Sequence, residues 1–129
     1  MNYYTYTYKT KDGEEKELRL RLTSGDTIEI ENMKKTKFLD YVQEESMSMI
    51  ITMLQYMRRF EDKNFSLKNA TQLYDELIDS GMTMKSILID IIYETLVVSG
   101  FLEKEDWEEL KASLTQAKKQ AKKDLLELI

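Results

Sequence analysis

The chain has 129 residues, of which 42% are hydrophobic and 33% are charged, and this balance predicts a single soluble globular domain. It contains no cysteine and no histidine, which excludes disulfides and thiolate metal sites and removes the commonest general base and zinc ligand. The net charge of −5 argues against a nucleic-acid partner, because binding to nucleic acid depends mainly on neutralising phosphates. We therefore expect a protein that is not an enzyme and that uses no cofactor and no metal.

The hydrophobic residues are distributed as in a cytoplasmic protein. The longest apolar run, residues 87–92, is too short to span a membrane and contains Asp90. The first residues alternate tyrosine with threonine and lack the basic and apolar regions of a signal peptide. We expect cytoplasmic location and no membrane partner.

The N-terminal residues are typical of a β-hairpin. Tyrosines alternate with threonines up to Tyr8, Asp12–Gly13 is a turn signal, and leucines alternate with charged residues between Lys16 and Leu22. We predict an antiparallel hairpin with one exposed face, which must pack on helices or pair with another chain because a lone hairpin is marginal in water. Stacking of the tyrosines on nucleic-acid bases is the less favoured alternative.

Residues 23–34 admit two interpretations. Ile28 and Ile30 alternate with glutamates, which favours a third strand. Thr23 or Ser24 followed by acidic residues is instead typical of a helix start. Two helices are predicted next, a short one over residues 37–43 and a longer one over residues 46–60. The longer helix is expected to bury Met47, Ile50, Ile51, Leu54 and Met57.

A helical pair is predicted over residues 66–102. Ser66 can cap a helix whose apolar face contains Leu67, Ala70, Leu73, Tyr74, Leu77 and Ile78. Gly81 stands where a glycine ends a helix, and Thr83 can cap the next helix, which is apolar nearly all round and is expected to be central in the core. Gly100 is expected to end it, and Phe101 to return the chain to the core.

Acidic residues in this pair have alternative interpretations. Asp75, Glu76 and Asp79 are typical of a solvated helix face, although neighbouring carboxylates can also serve acid–base chemistry or bind a hard cation. Asp90 marks either the one exposed stripe of its helix or a buried carboxylate paired with Arg58 or Arg59. The numerous methionines fit either core filling or an adaptable partner groove.

The last segment, residues 103–129, is predicted to be a helical arm. Apolar residues recur at alternating spacings of three and four, as in a coiled-coil seam. The first turns are acidic, and the later part is basic through Lys118, Lys119, Lys122 and Lys123, which suits an antiparallel or staggered neighbour. The predicted partner-binding residues are Trp107, Leu110, Leu114, Ala117 and Ala121, with Leu128 continuing the seam after a step at Asp124.

The predicted fold class is α+β and mostly α, with an N-terminal β-hairpin followed by a compact helical bundle and a C-terminal amphipathic helix. The predicted domains are residues 1–102, the helical domain with its hairpin, and residues 103–129, the arm. We expect an interaction protein that forms a homo-oligomer. A small acidic nucleic-acid-binding regulator, a carboxylate-and-metal enzyme and a helical adaptor are the alternatives.

Several motifs, taken in order, resemble the tail assembly chaperones of long-tailed phages and prophages of Gram-positive bacteria. The resemblance covers about residues 8–102. It rests on L-R-L-T at residues 20–23, I-E-I-E at residues 28–31, L-Y-D with a glycine six residues after its aspartate, and V-S-G-F at residues 98–101. The family has a helix where I-E-I-E stands, so we predict a helix there. The glycine that commonly follows is missing from residues 32–37.

The resemblance implies a non-catalytic chaperone that acts in the cytoplasm of the bacterial host and is absent from the mature virion. Its implied partner is the phage tape-measure protein, with tail-tube subunits as a second partner. Nine motif residues would then have structural roles in packing, helix ends and chain reversal: Leu20, Leu22, Leu73, Tyr74, Asp75, Gly81, Ser99, Gly100 and Phe101.

Overall fold

The hairpin forms as the alternation of its residues predicts. In the computed structural model, which describes residues 2–128 apart from the side chain of Lys118, β1 (Tyr4–Lys9) pairs antiparallel with β2 (Glu15–Leu20). Gly13 takes a positive φ of 86° in the connecting turn, a conformation that glycine adopts without steric cost. The N–H of Arg21 donates to the carbonyl of Met57 at 3.2 Å, so the hairpin packs on the helices.

Helices make up the remainder of the fold, which confirms the predicted α+β, mostly α class. Residues 84–98 form one continuous helical stretch with a π-helical segment in its middle. The helices are α1 (Ser24–Lys34), α2 (Phe38–Gln43), α3 (Met47–Arg58), α4 (Leu67–Asp79), α5 (Met84–Ile87), the π segment (Leu88–Tyr93), α6 (Glu94–Val98) and α7 (Lys104–Glu127).

The ambiguous residues after the hairpin are helical, as predicted. The Thr23 hydroxyl accepts the N–H of Asp26 at 3.1 Å, and the Asp26 carboxylate accepts the N–H of Thr23 at 3.0 Å, which makes a capping box. In a strand Ile28 and Ile30 would share a face, whereas residues two apart on a helix point in different directions. Ile30 is accordingly buried and Ile28 is exposed.

Capping residues and glycines set the bounds of the later helices as predicted. Ser66 and Thr83 each form a capping box. Gly81 has a φ of 110°, and the N–H of Met82 reaches back to the carbonyl of Leu77 at 3.2 Å, closing α4 with a Schellman motif. Gly100, with a φ of 90°, ends α6 in the same way.

The hydrophobic core lies between the leucine face of the hairpin, α3, α4 and the π segment. The predicted inward orientation is wrong for two side chains, since Met47 is 43% exposed and Leu67 is 56% exposed. Each is the first residue of its helix, beyond the layer where the helices touch. Met49 and Met53, two and six residues further along α3, are fully buried, which supports core filling for these methionines.

The π segment was not predicted, because its apolar residues fit a regular helix equally well. Asp90 lies within it and is half-buried. The proposed pairing with Arg58 or Arg59 is wrong, since both arginines bind elsewhere: Arg58 donates to the carbonyl of Arg19 at 2.7 Å and Arg59 pairs with Glu29 at 3.6 Å. Within residues 2–128, no helix is long and apolar enough to cross a membrane.

Candidate functional site

Trp107 and Lys111 hold the first turns of the arm helix α7 against the rest of the chain. Trp107 is only 4% exposed, and its ring stacks on Tyr93 with centroids 4.9 Å apart. The indole Nε1 donates to Oε1 of Glu94 at 3.0 Å, and Nζ of Lys111 donates to the same oxygen at 2.6 Å. The end of the π segment and the start of α6 thus hold the first turns of the arm.

This arrangement corrects the predicted partner-binding set, because Trp107 is used for packing within the chain and is not accessible to a partner. Sequence reasoning also missed Tyr93, Glu94 and Lys111 as its contacts. A signal for such contacts exists, since a buried indole N–H usually requires a hydrogen-bond acceptor. No spacing in the sequence identifies which of the many carboxylates provides it.

The remaining predicted residues form an accessible stripe along the arm. Leu110 is 51% exposed, Leu114 is half-buried, and Ala117 and Ala121 are exposed. We call these four residues the arm stripe. The stripe continues into three exposed leucines at the end of the helix, of which Leu128 is 84% exposed.

The arm extends beyond the rest of the molecule after Leu114. Every described side chain of residues 115–128 is exposed. At about 1.5 Å per residue these fourteen residues form a free helix of about 21 Å. Most of the stability of such a helix comes from packing of its apolar side, and Ala117 and Ala121 are exposed here.

The charges of the arm change sign along its length. Its first turns contain five acidic residues, and its later part contains basic ones. Beyond Leu114 the described basic side chains are all exposed, as are the acidic side chains of the first turns. The predicted contribution of Lys118 lies outside the described side chains. The acidic residues are Glu103, Glu105, Asp106, Glu108 and Glu109, and the described basic ones beyond Leu114 are Lys119, Lys122 and Lys123.

Several motif residues lie inside the fold and join distant parts of the chain. Leu20, Leu22 and Leu73 are buried. The N–H of Leu22 donates to the Ser99 hydroxyl at 3.0 Å, which connects the L-R-L-T and V-S-G-F motifs. The Phe101 ring packs on Phe38 with centroids 5.4 Å apart. Of the other motif residues, Tyr74 is half-buried against the core and Asp75 is exposed.

The carboxylates of α4 form part of a second feature, a groove of about 830 Å³ between α4 and the hairpin. Glu76 accepts hydrogen bonds from Nζ of Lys16 at 2.8 Å and from the Tyr8 hydroxyl at 2.9 Å. The bond from Lys16 is the main cause that holds the pKa of Glu76 below its ordinary value. Glu76 therefore links α4 to both strands of the hairpin.

The groove does not gather acidic side chains in the manner of a metal centre. Asp75 and Asp79 line it, but both are exposed. In the part of the chain that the structure describes, no group of three or more acidic residues is placed to hold a metal ion.

Comparisons of the chain with protein-family models, curated proteins and solved structures find no match.

Proposed function

We propose that the protein is a tail assembly chaperone of a long-tailed phage or prophage, which binds the tape-measure protein during tail assembly without catalysing a reaction. The observation that carries the proposal is the arm stripe, an apolar helix side that the rest of the chain leaves accessible. The motifs L-R-L-T, L-Y-D and V-S-G-F support it through their resemblance to that family. Tail-tube subunits are the second proposed partner.

The arm suits a helical client. Leucines at Leu110 and Leu114 offer apolar contact, and Ala117 and Ala121 allow another helix to approach closely. A stripe of four residues buries little area, so one copy binds weakly. Many copies along a long client would cover its apolar helices together while tail-tube subunits assemble. Such a protein would act in the host cytoplasm and be absent from the finished virion.

The test is co-expression with the product of the long open reading frame expected immediately downstream. We expect the client to become soluble and to co-purify with this protein. Ala121→Glu, which places a charge in the arm stripe, should abolish both effects. Ala112→Glu is the matched control, because nine residues on a helix correspond to two and a half turns and place Ala112 on the opposite side.

Two results would contradict the proposal at different points. A client that stays insoluble with the wild-type protein would remove the chaperone function. A client that is rescued equally by the wild type and by Ala121→Glu would leave the function in place and remove the arm stripe as its surface.

An unrelated helical oligomeric adaptor or regulator is the second candidate. The observation that favours it is the reversal of charge within one arm, which makes the arm complementary to itself. Gene order separates the two candidates, since a very long reading frame directly downstream is expected only for the chaperone.

A further inference from the structure

We propose that two copies of this chain pair through their arms, with α7 of one copy antiparallel to α7 of the other. The pairing would cover the arm stripe, of which the rest of the chain leaves Leu110, Ala117 and Ala121 exposed and Leu114 half-buried. Three properties of the arm point to this partner and to this direction: the sizes of the stripe residues, the order of the charges, and the side on which the arm is fastened.

The sizes of the stripe residues favour the antiparallel direction. The stripe contains two leucines followed by two alanines, at spacings of four, three and four. A two-fold axis between Leu114 and Ala117 would place Leu114 against Ala117 of the partner subunit and Leu110 against Ala121 of the partner subunit. Each layer then combines a large side chain with a small one, which fills the space between the helices.

The parallel direction would pack the same residues poorly. Equal positions would then face each other, so two layers would contain only leucine and two only alanine. The alanine layers would leave gaps at the helix spacing that the leucine layers require.

The order of the charges favours the same direction. In the antiparallel register the acidic turns of one arm, which contain Glu108 and Glu109, lie level with the basic turns that contain Lys122 and Lys123 of the partner subunit. These exposed side chains point about 110–150° away from the arm stripe, so the opposite charges attract over a distance and do not form ion pairs across it. A parallel pair would instead bring acidic turns beside acidic turns and basic turns beside basic turns, which discriminates against that arrangement.

The residues that hold the arm to the rest of the chain lie on a different side of α7 from the exposed Leu110, so a second helix can pack beside it. Trp107 and Lys111 face Tyr93 and Glu94, whereas Leu110 is exposed on another side of α7. A partner arm can therefore cover the stripe without displacing Trp107. In the same register Leu125 and Leu128 lie beside the start of the other copy's α7. The start of that helix would then cover these exposed leucines as well.

The pairing does not depend on the proposed chaperone function. If the client also uses the arm stripe, it would compete with the second copy, and the pair would be the client-free state. Because pairing is measured on the purified chain alone, its failure would leave the co-expression result unaffected, and the reverse also holds.

Sedimentation equilibrium of the full-length protein tests whether the pair forms. We expect the apparent mass to rise with concentration from 15.3 kDa toward twice that value. Ala121→Glu should keep the mass of a single chain, and Ala112→Glu should behave as the wild type. Both positions are exposed, and glutamate is a good helix former, so neither change should unfold the chain. A wild type that remains a single chain, or an Ala121→Glu variant that still pairs, would overturn the proposal.

Engineered cysteines test the direction of the pair, since the chain has no cysteine of its own. A mixture of Leu110→Cys and Ala121→Cys proteins should form a mixed disulfide under mild oxidation, because these positions meet in the antiparallel register. Ala121→Cys alone should not cross-link, since its two copies would lie about 16 Å apart along the axis, beyond disulfide reach. Cross-linking of Ala121→Cys to itself in place of the mixed disulfide would overturn the antiparallel arrangement.

Discussion

At the scale of single residues, Glu94 determines how the arm is held. One of its carboxylate oxygens accepts both the Trp107 indole N–H and the Lys111 ammonium group. The same contact favours the charged form of Lys111, since the hydrogen bond to Glu94 raises the pKa of its ammonium group. The acceptor matters because a buried N–H without a partner loses its bonds to water and gains nothing in return.

Replacing Glu94 with alanine should loosen the start of the arm. Loss of the acceptor from the buried indole should lower the free energy of unfolding by about 1–3 kcal/mol. Trp107 is the only tryptophan of the chain, so its fluorescence reports on this site alone. We expect the emission of Glu94→Ala to shift to longer wavelength, and chemical denaturation to give the loss of stability.

Two controls accompany this measurement. Glu94→Gln keeps an oxygen that can accept the indole N–H and should retain most of the wild-type emission. Glu108→Ala removes an exposed carboxylate from α7, the helix of Trp107, and in a dilute sample of single chains it should change neither quantity. Wild-type emission from Glu94→Ala would contradict the role assigned to Glu94.

Glu76 should make the stability of the protein depend on pH. Its folded-state pKa is lowered chiefly by the bond from Lys16. Its contribution is therefore fully present above the unfolded value, near 4.5, and is lost as pH falls through the lower folded value. Glu76→Gln should cost about 1 kcal/mol at pH 7, because the pair is partly exposed, and less as the pH falls below 4.5.

Urea unfolding at several pH values measures this difference between wild type and Glu76→Gln. Asp75→Asn changes the neighbouring exposed carboxylate, which should leave stability nearly unaltered throughout the series. A cost of Glu76→Gln that stays constant from pH 7 to pH 3 would refute the assigned contribution of this carboxylate.

At the scale of helices and strands, local chemistry made most of the fold predictable. The alternation around Tyr8 and Leu20 predicted the hairpin, and the hydroxyl caps at Ser66 and Thr83 and the glycines at Gly81 and Gly100 predicted helix ends. These features act within a few residues, so they can be read without knowing the tertiary structure.

The parts that escaped prediction depend on contacts between distant residues. An apolar helix and an apolar helix with a π segment have the same composition, so Leu88–Tyr93 gave no sign of its geometry. Trp107 fits a seam at the correct spacing, but its burial depends on Tyr93 and Glu94, which belong to another helix. The other four predicted partner-binding residues are exposed or, for Leu114, half-buried, and their role in binding stays a prediction.

The helix ends provide a test at this scale. Gly81 has a positive φ of 110° and no heavy atom within 4 Å of the position of an added Cβ, so the cost of Gly81→Ala should be conformational, about 1–2 kcal/mol. Gly25 is the matched control. It lies inside α1, where Cβ would meet only the Thr23 hydroxyl at 3.8 Å, and Gly25→Ala should stabilise by about 0.5–1 kcal/mol. Thermal unfolding of both variants checks the opposite signs, and equal effects would contradict this account.

At the scale of the whole molecule, the chain divides into a packed part and a helix that leaves it. The core cluster ends before the arm, and Trp107 is the only buried one among the described side chains of the arm. The described part of the arm past Leu114 thus contributes little to the stability of a single chain. Its role as a surface for another molecule is our proposal.

Two truncations should separate the anchored turns of the arm from the free ones. Deleting residues 115–129 should leave the melting temperature of a dilute sample nearly unchanged, because the described side chains removed are exposed. Deleting residues 104–129 also removes Trp107, whose loss from a buried site should cost about 3 kcal/mol. Differential scanning calorimetry measures both. A large drop from the shorter deletion would mean that the free turns support the fold of the single chain.

The π segment gives the gene of this protein a place where it can lose a codon at small cost. A π turn contains one residue more than an α turn, so removing one residue between Leu88 and Tyr93 would leave a regular α-helix with both flanks in their present orientation. Ser99 would still reach the N–H of Leu22. A deletion in the α-helical turns on either side would instead rotate the later side chains by about 100° and turn Ser99 away from that N–H. During divergence, single-codon deletions should therefore be tolerated in the π segment and in the free end of the arm.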